Sequence, residues 1–434
     1  MTHSSLVISP LIAASGHITP PGSKSIANRA LPLAAMGKGE ITIENLPDGQ
    51  DVQLMLQALK DLGISIRQQQ DSIQFIGMGG GFNIPKPINL FLGNSGTTTR
   101  FLTAILGASQ GTYSLDGVPR MRERPISDLI DGLRQWSTSP NQTKFNYHSN
   151  NGFLPLTINA YGLKGGKAKL RGNSSSQFLT GMLLAMPLCQ QDAEIEIEGT
   201  LVSSPYIDIT LQMIQNWGVN LTQNNHKHFY KKGMELYCNP AQYTIEADAS
   251  SASYFLAAGA IGKGPLTVNG VGTASLQYQS EGGFANVLKK MGAKVTLSTH
   301  SITVSGGELQ GGEFNMDSMS DTGMTLAMVA LFAKGTTTIT HIGNWRLKET
   351  DRIKAMATEL RKLGATVKEG PDYITITPPT QWTPATIETY EDHRMAMCFS
   401  LAAFGGVPIT LLDPKCVDKT YPSFFSDFNK VTTA

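Results

Sequence analysis

The sequence predicts an α/β protein of two lobes, each built from three repeated units in which apolar helices are buried and sheets cover them on the outside. Three observations lead to this prediction. A polar helix start recurs six times, about every 70–80 residues; an apolar Ala/Leu/Met helix follows it; and a strand, usually led by glycine, begins about 14 residues later. The six helix starts are Lys24-Ser25, Asn94-Ser95-Gly96, Ser175-Ser176-Gln177, Asp248-Ala249-Ser250, Asp321-Thr322 and Asp392-His393-Arg394.

A second set of glycines supports the repeat. Amphipathic helices end at Gly63, Gly218, Gly292 and Gly364, and a β-pattern follows each of them. Glycine is favoured there because the residue after the last helical turn often adopts a left-handed conformation. Alternating polar and apolar residues, as in 194–198, indicate the strands. The helices at 178–186 and 395–404 are apolar nearly all round, which predicts that they are buried.

The repeat also predicts the domain organisation. A chain of 434 residues exceeds the usual size of a single core, so two lobes of three units are expected. A first strand, Leu6 to Ser9, should complete the C-terminal lobe, because the sixth unit runs out of chain. We therefore expect a C-terminal lobe of residues 1–22 and 247–434 and an N-terminal lobe of residues 23–246, with the active site in the cleft between them.

The bulk composition argues against several classes of protein. The formal net charge of +1 gives no support for a nucleic-acid-binding protein. The four cysteines, at 189, 238, 398 and 416, are far apart, which argues against disulfides and a zinc site and favours a reducing cytoplasm. The N-terminus lacks the pattern of a secretion signal, and no apolar stretch is long enough to span a membrane. We expect a monomer that acts on small molecules without a cofactor or metal.

Cationic and polar residues gather at the helix starts and strand ends of the first three units. Lys24 and Arg29 begin a helix, where the dipole favours negative charge, so a bound anion would complete the arrangement. Gly96 lets a ligand approach the backbone closely. Arg124 is one of three arginines in five residues, and residues 173–177 offer hydroxyls and an amide. For each motif alone, an ordinary helix cap or a solvated loop is the alternative interpretation.

The last two units carry the densest charge. Residues 344–352 hold five charges in nine residues, and the i, i+4 spacing of Lys348 and Arg352 predicts that they share a helix face. Asp321 lies at the fifth helix start, where it is a good cap and, among cations, a candidate base. The sixth unit adds Arg394 and Lys419. Cations that recur in both lobes, without a nucleophile motif, predict a site for small substrates with several negative charges.

Together these motifs resemble the signatures of the 5-enolpyruvylshikimate-3-phosphate synthase family, in order and over essentially the whole chain. The matching segments are residues 21–25, 92–97, 122–125, 175–178, 344–352, 392–395, 413–416 and 419–422. The resemblance implies two lobes of three βαβαββ units, the inverse α/β barrel of the enolpyruvyl transferases. It also implies an enzyme of the shikimate pathway, which transfers the enolpyruvyl group of phosphoenolpyruvate to the 5-hydroxyl of shikimate 3-phosphate and releases phosphate.

The resemblance also implies roles for individual residues. Shikimate 3-phosphate would be bound by Lys24, Ser25, Arg29, Ser175, Ser176, Gln177, Ser203, Tyr206, Asp321, Asn344 and Lys348. Phosphoenolpyruvate would be bound by Lys24, Gly96, Arg124, Gln177, Arg352, Arg394 and Lys419. Asp321 would act as the base, and Lys24 and Glu349 would share proton delivery and return. Closure of the two cationic lobes should follow the binding of shikimate 3-phosphate.

Three places depart from the family pattern. Residues 47–50 replace a run that is usually acidic or serine-rich, Ser320 stands where a proline usually precedes the catalytic aspartate, and Phe101 stands where many members have proline or leucine. None of these departures removes a charged residue of the expected site.

Two other functions are alternatives to enolpyruvyl transfer to shikimate 3-phosphate. The UDP-N-acetylglucosamine enolpyruvyl transferases share the fold and the donor, but they carry a reactive cysteine in the loop after the second strand, and residues 117–122 contain none. A non-enzymatic scaffold for polyanions would have a broad basic stripe and a steep salt dependence. The near-neutral net charge and the carboxylates among the cations argue against such a scaffold.

Overall fold

The computed structural model describes residues 4–69, 72–137, 142–173, 175–275 and 279–434. The chain forms two compact units. The C-terminal unit consists of Met1–Ser23, Pro47–Gly49 and Glu246–Ala434, and the N-terminal unit of Lys24–Leu46 and Gln50–Ile245. The sequence did not indicate that the short segment Pro47–Gly49 belongs to the C-terminal unit.

Helices and strands alternate throughout both units. The helices are α1 (Lys24–Met36), α2 (Gln50–Asp61), α3 (Gly96–Gly107), α4 (Pro119–Arg122), α5 (Ser127–Gln135), α6 (Ser176–Ala185), α7 (Pro205–Asn216), α8 (Ala249–Ile261), α9 (Phe284–Met291), α10 (Gly323–Ala330), α11 (Arg352–Lys362), α12 (His393–Phe399) and α13 (Phe424–Val431). The strands are β1 (Ser5–Ile8), β2 (Ala13–Ile18), β3 (Lys38–Glu44), β4 (Ser65–Gln68), β5 (Ser72–Met78), β6 (Ile88–Phe91), β7 (Gln110–Asp116), β8 (Lys144–Tyr147), β9 (Leu156–Tyr161), β10 (Gly166–Arg171), β11 (Ala193–Glu198), β12 (Thr222–Asn224), β13 (His228–Lys231), β14 (Gln242–Thr244), β15 (Lys263–Asn269), β16 (Lys294–Leu297), β17 (Ser301–Ser305), β18 (Glu313–Asn315), β19 (Thr337–Thr340), β20 (Thr366–Glu369), β21 (Ile374–Thr377), β22 (Ala385–Ile387), β23 (Ile409–Leu412) and β24 (Thr432–Thr433).

The sheets of the N-terminal unit repeat one pattern three times. Their strand orders are β14-β3-β5-β4, β6-β7-β9-β8 and β10-β11-β13-β12. In each sheet the first pair is parallel and the next two pairs are antiparallel. The strands predicted to follow the apolar helices of this unit are β3, β7 and β11. Each is the second strand in the order of its sheet, and β11 is the one that lacks a leading glycine. The repeat inferred from the sequence is thus a repeat of strand pairing.

The C-terminal unit follows the same pattern, except that β24 adds a fifth strand to one sheet and another sheet has three strands. Its sheets have the orders β16-β17-β15-β2-β24, β18-β19-β21-β20 and β1-β23-β22. In the last of these, β22 and β23 are parallel, and β1, from the beginning of the chain, pairs antiparallel with β23 from Ser5 opposite Leu412 to Ile8 opposite Ile409. The N-terminal strand therefore occupies the position that a later strand fills in the other sheets.

The apolar helices that follow the predicted polar helix starts lie in the cores of the two units. Every residue of α3, α10 and α12 is buried, and Gln177 is the only residue of α6 that is not. The N-terminal unit has its own cluster of buried apolar side chains, from Ile26 to Ile245, and the C-terminal unit has another. A helix that is apolar all round is stable only when neighbours cover every face. The prediction of buried helices is confirmed.

Helix caps decide where the functional segments begin. The side chains of Ser175, Asp248, Asp351 and Asp392 each accept a backbone N–H bond at the start of α6, α8, α11 and α12, respectively. Because Asp351 caps α11, this helix begins at Arg352, and Lys348 has an extended backbone. The prediction that Lys348 and Arg352 share a helix face is therefore wrong. Among the described residues, no helix is long and apolar enough to cross a membrane.

Candidate active site

Lys24 is the first residue of α1, whose first turn contains no acidic residue. Its Nζ lies 3.5 Å from Oδ2 of Asp51, which is 3 % exposed and lies in the first turn of α2. The hydroxyl of Thr98, on α3, donates to the backbone oxygen of Asp51. Lys24 therefore stands at a helix N-terminus with a carboxylate to orient it, and its side chain is still accessible at 15 % exposure.

Arg29 lies one turn further along α1 and is almost fully buried, at 2 % exposure. Its guanidinium donates to the backbone oxygens of Ser25 and Tyr206 and to the hydroxyls of Thr180 and Thr210. These partners lie on α1, α6 and α7, so Arg29 joins the helices that carry three predicted site segments. Its predicted role as a ligand of shikimate 3-phosphate stays a prediction.

Gly96 begins α3 beside two buried guanidinium groups. A Cβ atom at this position would collide with Nη1 of Arg100 and would lie 2.7 Å from Nη2 of Arg124. Arg124 is 4 % exposed and donates through Nη1 to the backbone and side-chain oxygens of Asn94, while its buried Nε has no hydrogen-bond partner among the described residues. The lack of a side chain at 96 therefore leaves room for Arg124 at a helix N-terminus, where an anion is stabilised.

The segment that precedes α6 is joined to the same arginines. Nη1 of Arg100 donates to Oε1 of Gln177 at 3.0 Å, and its Nη2 donates to the backbone oxygen of Pro125. Ser175 caps α6 by accepting from the backbone N–H of Gln177 at 3.3 Å, and Ser176 is buried. Ser174, part of the same predicted motif, lies outside the described residues. Gln177 is thus oriented by an arginine that the sequence analysis did not assign to the site.

Ser203 and Tyr206 lie at the start of α7. Ser203 is buried and has φ 54°, a left-handed conformation that is unusual for a residue with a side chain. The ring of Tyr206 lies 5.9 Å from the guanidinium carbon of Arg29. The predicted packing of Tyr206 on a substrate ring stays a prediction, and what the structure shows is a contact with Arg29.

In the C-terminal unit, Asp321 is surrounded by cations. Its Oδ2 lies 2.7 Å from Nη2 of Arg394, and its Oδ1 lies 3.4 Å from Nη1 of Arg352 and 3.8 Å from Nζ of Lys348. Asp321 does not begin a regular helix, as the sequence suggested, but lies in a 3₁₀ turn (Asp317–Thr322) immediately before α10. The carboxylate of the predicted base thus has three cationic side chains within 4 Å.

Arg352 is the centre of this charged network. It is 1 % exposed; its Nε lies 2.7 Å from Oδ2 of Asp392, and its Nη2 lies 3.0 Å from Oε2 of Glu349. Burial alone would lower the pKa of the Arg352 guanidinium, but Asp392, Glu349 and Asp321 together outweigh burial and raise that pKa above its usual value. Glu349 also lies 3.9 Å from Nζ of Lys419. The network therefore places a second carboxylate beside two cations.

Asn344 is joined to this network through Ser320, the residue before Asp321. The hydroxyl of Ser320 donates to Oδ1 of Asn344 at 2.8 Å, and the indole N–H of the buried Trp345 donates to both oxygens of Ser320. Six predicted site residues of the C-terminal unit, namely Asp321, Lys348, Glu349, Arg352, Arg394 and Lys419, are thus connected by ion pairs, and Asn344 adjoins them.

Comparison with known proteins identifies the family. The family model described as EPSP synthase (3-phosphoshikimate 1-carboxyvinyltransferase) matches residues 9–428. The chain belongs to the EPSP synthase family. It is 50 % identical over 433 residues to the 3-phosphoshikimate 1-carboxyvinyltransferase of Haemophilus influenzae strain PittGG, with 98 % of each chain covered. A second relative with that name, from Cupriavidus necator, is 50 % identical over 438 residues, covering 98 % of this chain and 99 % of its own.

Solved structures of the EPSP synthase family and its neighbours share the fold. The chain superposes on EPSP synthase from Acinetobacter baumannii with a TM-score of 0.80 at 25 % identity, over 100 % of both chains. The enolpyruvyl transferase NikO from Streptomyces tendae gives a TM-score of 0.78 at 16 % identity, over 99 % of both chains, which shows the fold alone. The predicted enolpyruvyl transferase fold is therefore confirmed.

Several residues that contact predicted site residues were given no role of their own in the sequence analysis. Asp51, Arg100 and Asp392 each orient a predicted cation or amide, yet their partners lie up to 77 residues away in the chain. His393 is 1 % exposed and close to Glu349. The signal available for Asp392 was its position at a helix start, which indicated only a cap. No cluster that could hold a metal ion is found in the part of the chain that the structure describes.

Proposed function

We propose that the protein transfers the enolpyruvyl group of phosphoenolpyruvate to the 5-hydroxyl of shikimate 3-phosphate and releases phosphate. The identity of 50 % to 3-phosphoshikimate 1-carboxyvinyltransferases over almost the full chain supports this substrate pair. The ion-pair network of Asp321 is the observation that supports the chemistry. It contains two carboxylates, which could take up and release protons, and four cations, which would bind anionic substrates.

In the proposed reaction, a proton adds to the methylene carbon of phosphoenolpyruvate, and the 5-hydroxyl oxygen attacks the neighbouring carbon while it loses its proton. The resulting tetrahedral adduct then loses a proton from its new methyl group, and the bond to phosphate breaks. Asp321 takes the hydroxyl proton, and Lys24 and Glu349 share the protons at carbon. Positioned acids and bases of this kind accelerate reactions by about 10²–10⁴-fold.

The cations would hold the substrates and stabilise the adduct. Shikimate 3-phosphate is assigned to Lys24, Ser25, Arg29, Ser175, Ser176, Gln177, Ser203, Tyr206, Asp321, Asn344 and Lys348, and phosphoenolpyruvate to Lys24, Gly96, Arg124, Gln177, Arg352, Arg394 and Lys419. The support is geometric: Arg124, Arg352 and Arg394 are buried, and each is fixed by hydrogen bonds before any ligand binds. Donors fixed in advance stabilise developing negative charge without reorganising.

The test is phosphate release from phosphoenolpyruvate with shikimate 3-phosphate, in buffer without added metal. Turnover that requires both substrates supports the proposal. UDP-N-acetylglucosamine is the control acceptor, and phosphate release with it instead of shikimate 3-phosphate would assign the protein to the other enolpyruvyl transfer reaction. Tight nucleic-acid binding without turnover of either acceptor would favour the scaffold.

We also propose that the enzyme works as a monomer in the cytoplasm. Its four cysteines are free, and burial raises the pKa of the Cys189 and Cys398 thiols to about 12, so neither thiol is reactive near neutral pH. Light scattering in reducing buffer should give the mass of one chain. A stable dimer mass at micromolar concentration would contradict the monomer.

A further inference from the structure

The segment between β22 and α12 contains two strained residues immediately before the charged network of the C-terminal unit. Tyr390 and Glu391 have φ of 54° and 55°, in the left-handed region that residues with a side chain rarely adopt. Such a conformation is costly and persists only where the surrounding structure holds it. The next residue, Asp392, caps α12 and forms an ion pair with Arg352. The contacts that hold this segment therefore also determine where the Asp392 carboxylate lies.

The carboxylate of Glu359, near the end of α11, makes these contacts. Glu359 is fully buried, its Oε2 accepts from the backbone N–H of Glu388 at 3.1 Å, and its Oε1 accepts from the phenol of Tyr390 at 2.8 Å. Burial, together with the bond to Glu359, raises the pKa of the Tyr390 phenol, which therefore keeps its proton and donates. Nζ of Lys362 lies 2.6 Å from Glu359 and supplies the opposite charge.

A single helix thus holds the segment at two places. Arg352 and Glu359 are about two turns apart on α11, so they lie on the same face of this helix. Glu359 holds residues 388–390, and Arg352 holds Asp392 through Nε at 2.7 Å and Nη2 at 3.2 Å. The Asp392 carboxylate also accepts from the backbone N–H of Arg394. A shift of residues 388–390 would therefore move a carboxylate that two site arginines contact.

We propose that Glu359 is a positioning residue, which sets the place of the Asp392 carboxylate through residues 388–392. Asp392 in turn holds the guanidinium of Arg352 and the backbone of Arg394. The inference rests on the proposed function, because that function assigns both arginines to phosphoenolpyruvate. A misplacement of about 1 Å caused far from the reacting atoms can lower a rate about 100-fold, so a side chain that acts only through others can have a measurable effect.

The first test compares two replacements of Glu359 that are similar in length and differ in hydrogen bonding. In Glu359→Gln, the amide oxygen can accept from Glu388 and the amide N–H can donate to the phenol oxygen of Tyr390, whereas methionine offers no strong donor or acceptor. For Glu359→Met we expect the KM for phosphoenolpyruvate to rise about tenfold, as for the loss of two hydrogen bonds. The KM for shikimate 3-phosphate should change less, and Glu359→Gln should stay close to the parent protein.

A milder variant keeps the test decisive if Glu359→Met does not fold. Tyr390→Phe removes one of the two bonds and should raise the KM for phosphoenolpyruvate about threefold. Tyr230→Phe is the matched control, because the Tyr230 phenol also donates to a carboxylate, that of Asp192, at 2.8 Å, but lies on β13 in the other unit. An effect of Tyr230→Phe equal to that of Tyr390→Phe would contradict the proposal. A fall in kcat with both KM values unchanged, the result of losing folded enzyme, would also contradict it.

A double-variant cycle tests whether Glu359 acts through Asp392. In an Asp392→Asn background, Glu359→Met should cause little further loss of kcat/KM for phosphoenolpyruvate, because the carboxylate that Glu359 positions is gone. An equal loss in both backgrounds would overturn the proposal.

A measurement without substrate distinguishes failure of this proposal from failure of the proposed function. In protein with ¹⁵N-labelled arginine, the Nε–H signal of Arg352 reports its bond to Asp392 and can be assigned by its disappearance in Arg352→Lys. We expect this signal to shift or broaden in Glu359→Met and not in Tyr230→Phe. If the parent protein turns over neither acceptor, the proposed function and the substrate part of this inference fail together, and the Arg352 signal still decides the positioning part. An unchanged Arg352 signal in an active enzyme would overturn the inference alone.

Discussion

The charged clusters of the two units differ in what neutralises their cations. In the C-terminal unit, Lys348, Arg352, Arg394 and Lys419 form ion pairs with the carboxylates of Asp321, Glu349 and Asp392, which gives these seven residues a formal charge of +1. In the N-terminal unit, Arg29, Arg100 and Arg124 donate to carbonyl, hydroxyl and amide oxygens, and Lys24 lies near Asp51. These five residues have a formal charge of +3.

The difference suggests a division of labour. Neutral oxygens of Asn94 orient Arg124 without cancelling its charge, so this arginine of the N-terminal cluster keeps its attraction for phosphate and carboxylate groups. Carboxylates cancel part of the charge but add groups that take up and release protons. We therefore assign mainly anion binding to the N-terminal cluster and mainly proton transfer to the C-terminal cluster. Variants that act on charge and on proton transfer separately can test this assignment.

The largest expected effect is that of Asp321→Ala on turnover. Loss of the proposed base should lower kcat at least about 100-fold. The KM for shikimate 3-phosphate should not rise much, because removal of the carboxylate makes the cluster more positive and offsets the lost contact. Steady-state phosphate release measures both constants, and Asp317→Ala, in the same 3₁₀ turn, is the control. An unaltered kcat would remove Asp321 from the mechanism.

A second test breaks the centre of the C-terminal cluster. Arg352→Met leaves the buried carboxylates of Asp392 and Glu349 without their shared guanidinium, and breaking a buried pair costs about 3–5 kcal/mol of unfolding free energy. Arg361→Met, on the same helix, removes an exposed pair with Glu369 and should cost at most about 1 kcal/mol. Urea unfolding of both variants measures the difference, and equal losses would show that Arg352 is no more important to stability than a surface arginine.

The N-terminal cluster is tested by charge removal at Arg124. Because its guanidinium is held by Asn94 and carries no carboxylate partner among the described residues, Arg124→Ala should weaken phosphoenolpyruvate binding and lower kcat/KM about 30-fold or more, as expected for a buried charged hydrogen bond. Stability should change less than in Arg352→Met. Arg122→Ala removes an exposed arginine, paired with Asp116, and should leave kcat/KM unchanged. Similar losses in both variants would argue for a nonspecific effect of charge.

What the sequence predicted well depends on neighbours in the chain. Helix caps, alternating strands and apolar helices are local patterns, and they located the six helix starts to within a few residues. The prediction of a helix that includes Lys348 was wrong for a local reason that was overlooked. Asp351 is a good N-cap, and α11 therefore begins at Arg352.

What could not be predicted depends on partners that are distant in the chain. Nothing near Arg352 indicates that its guanidinium binds Asp392, 40 residues later, or that Arg100 orients Gln177, 77 residues later. Likewise, Ser320 was recognised as a departure from the family pattern, but its bond to Asn344 requires the fold. Charged residues can thus be assigned to a site by motif, whereas the groups that orient them become visible only when strands and helices are assembled.

The smallest expected effect concerns His393, next to the C-terminal cluster. Burial lowers the pKa of His393 well below 6.5; Glu349 opposes the shift, and Arg394, Arg352 and Lys419 add to it. Asp392 lies 3.5 Å away, but its carboxylate already binds Arg352. Folded His393 thus stays neutral where the unfolded chain takes up a proton, so stability is lost as pH falls below about 6.5, by about 1.4 kcal/mol per pH unit. His393→Asn removes this contribution to the pH dependence of stability, while the other histidines remain in both proteins. Urea unfolding from about pH 5 to 8 should therefore show a smaller loss of unfolding free energy at acid pH than in the parent protein. Parallel curves would mean that His393 is protonated in the folded state, and the cluster would then carry one more positive charge than the comparison of the two units assumes.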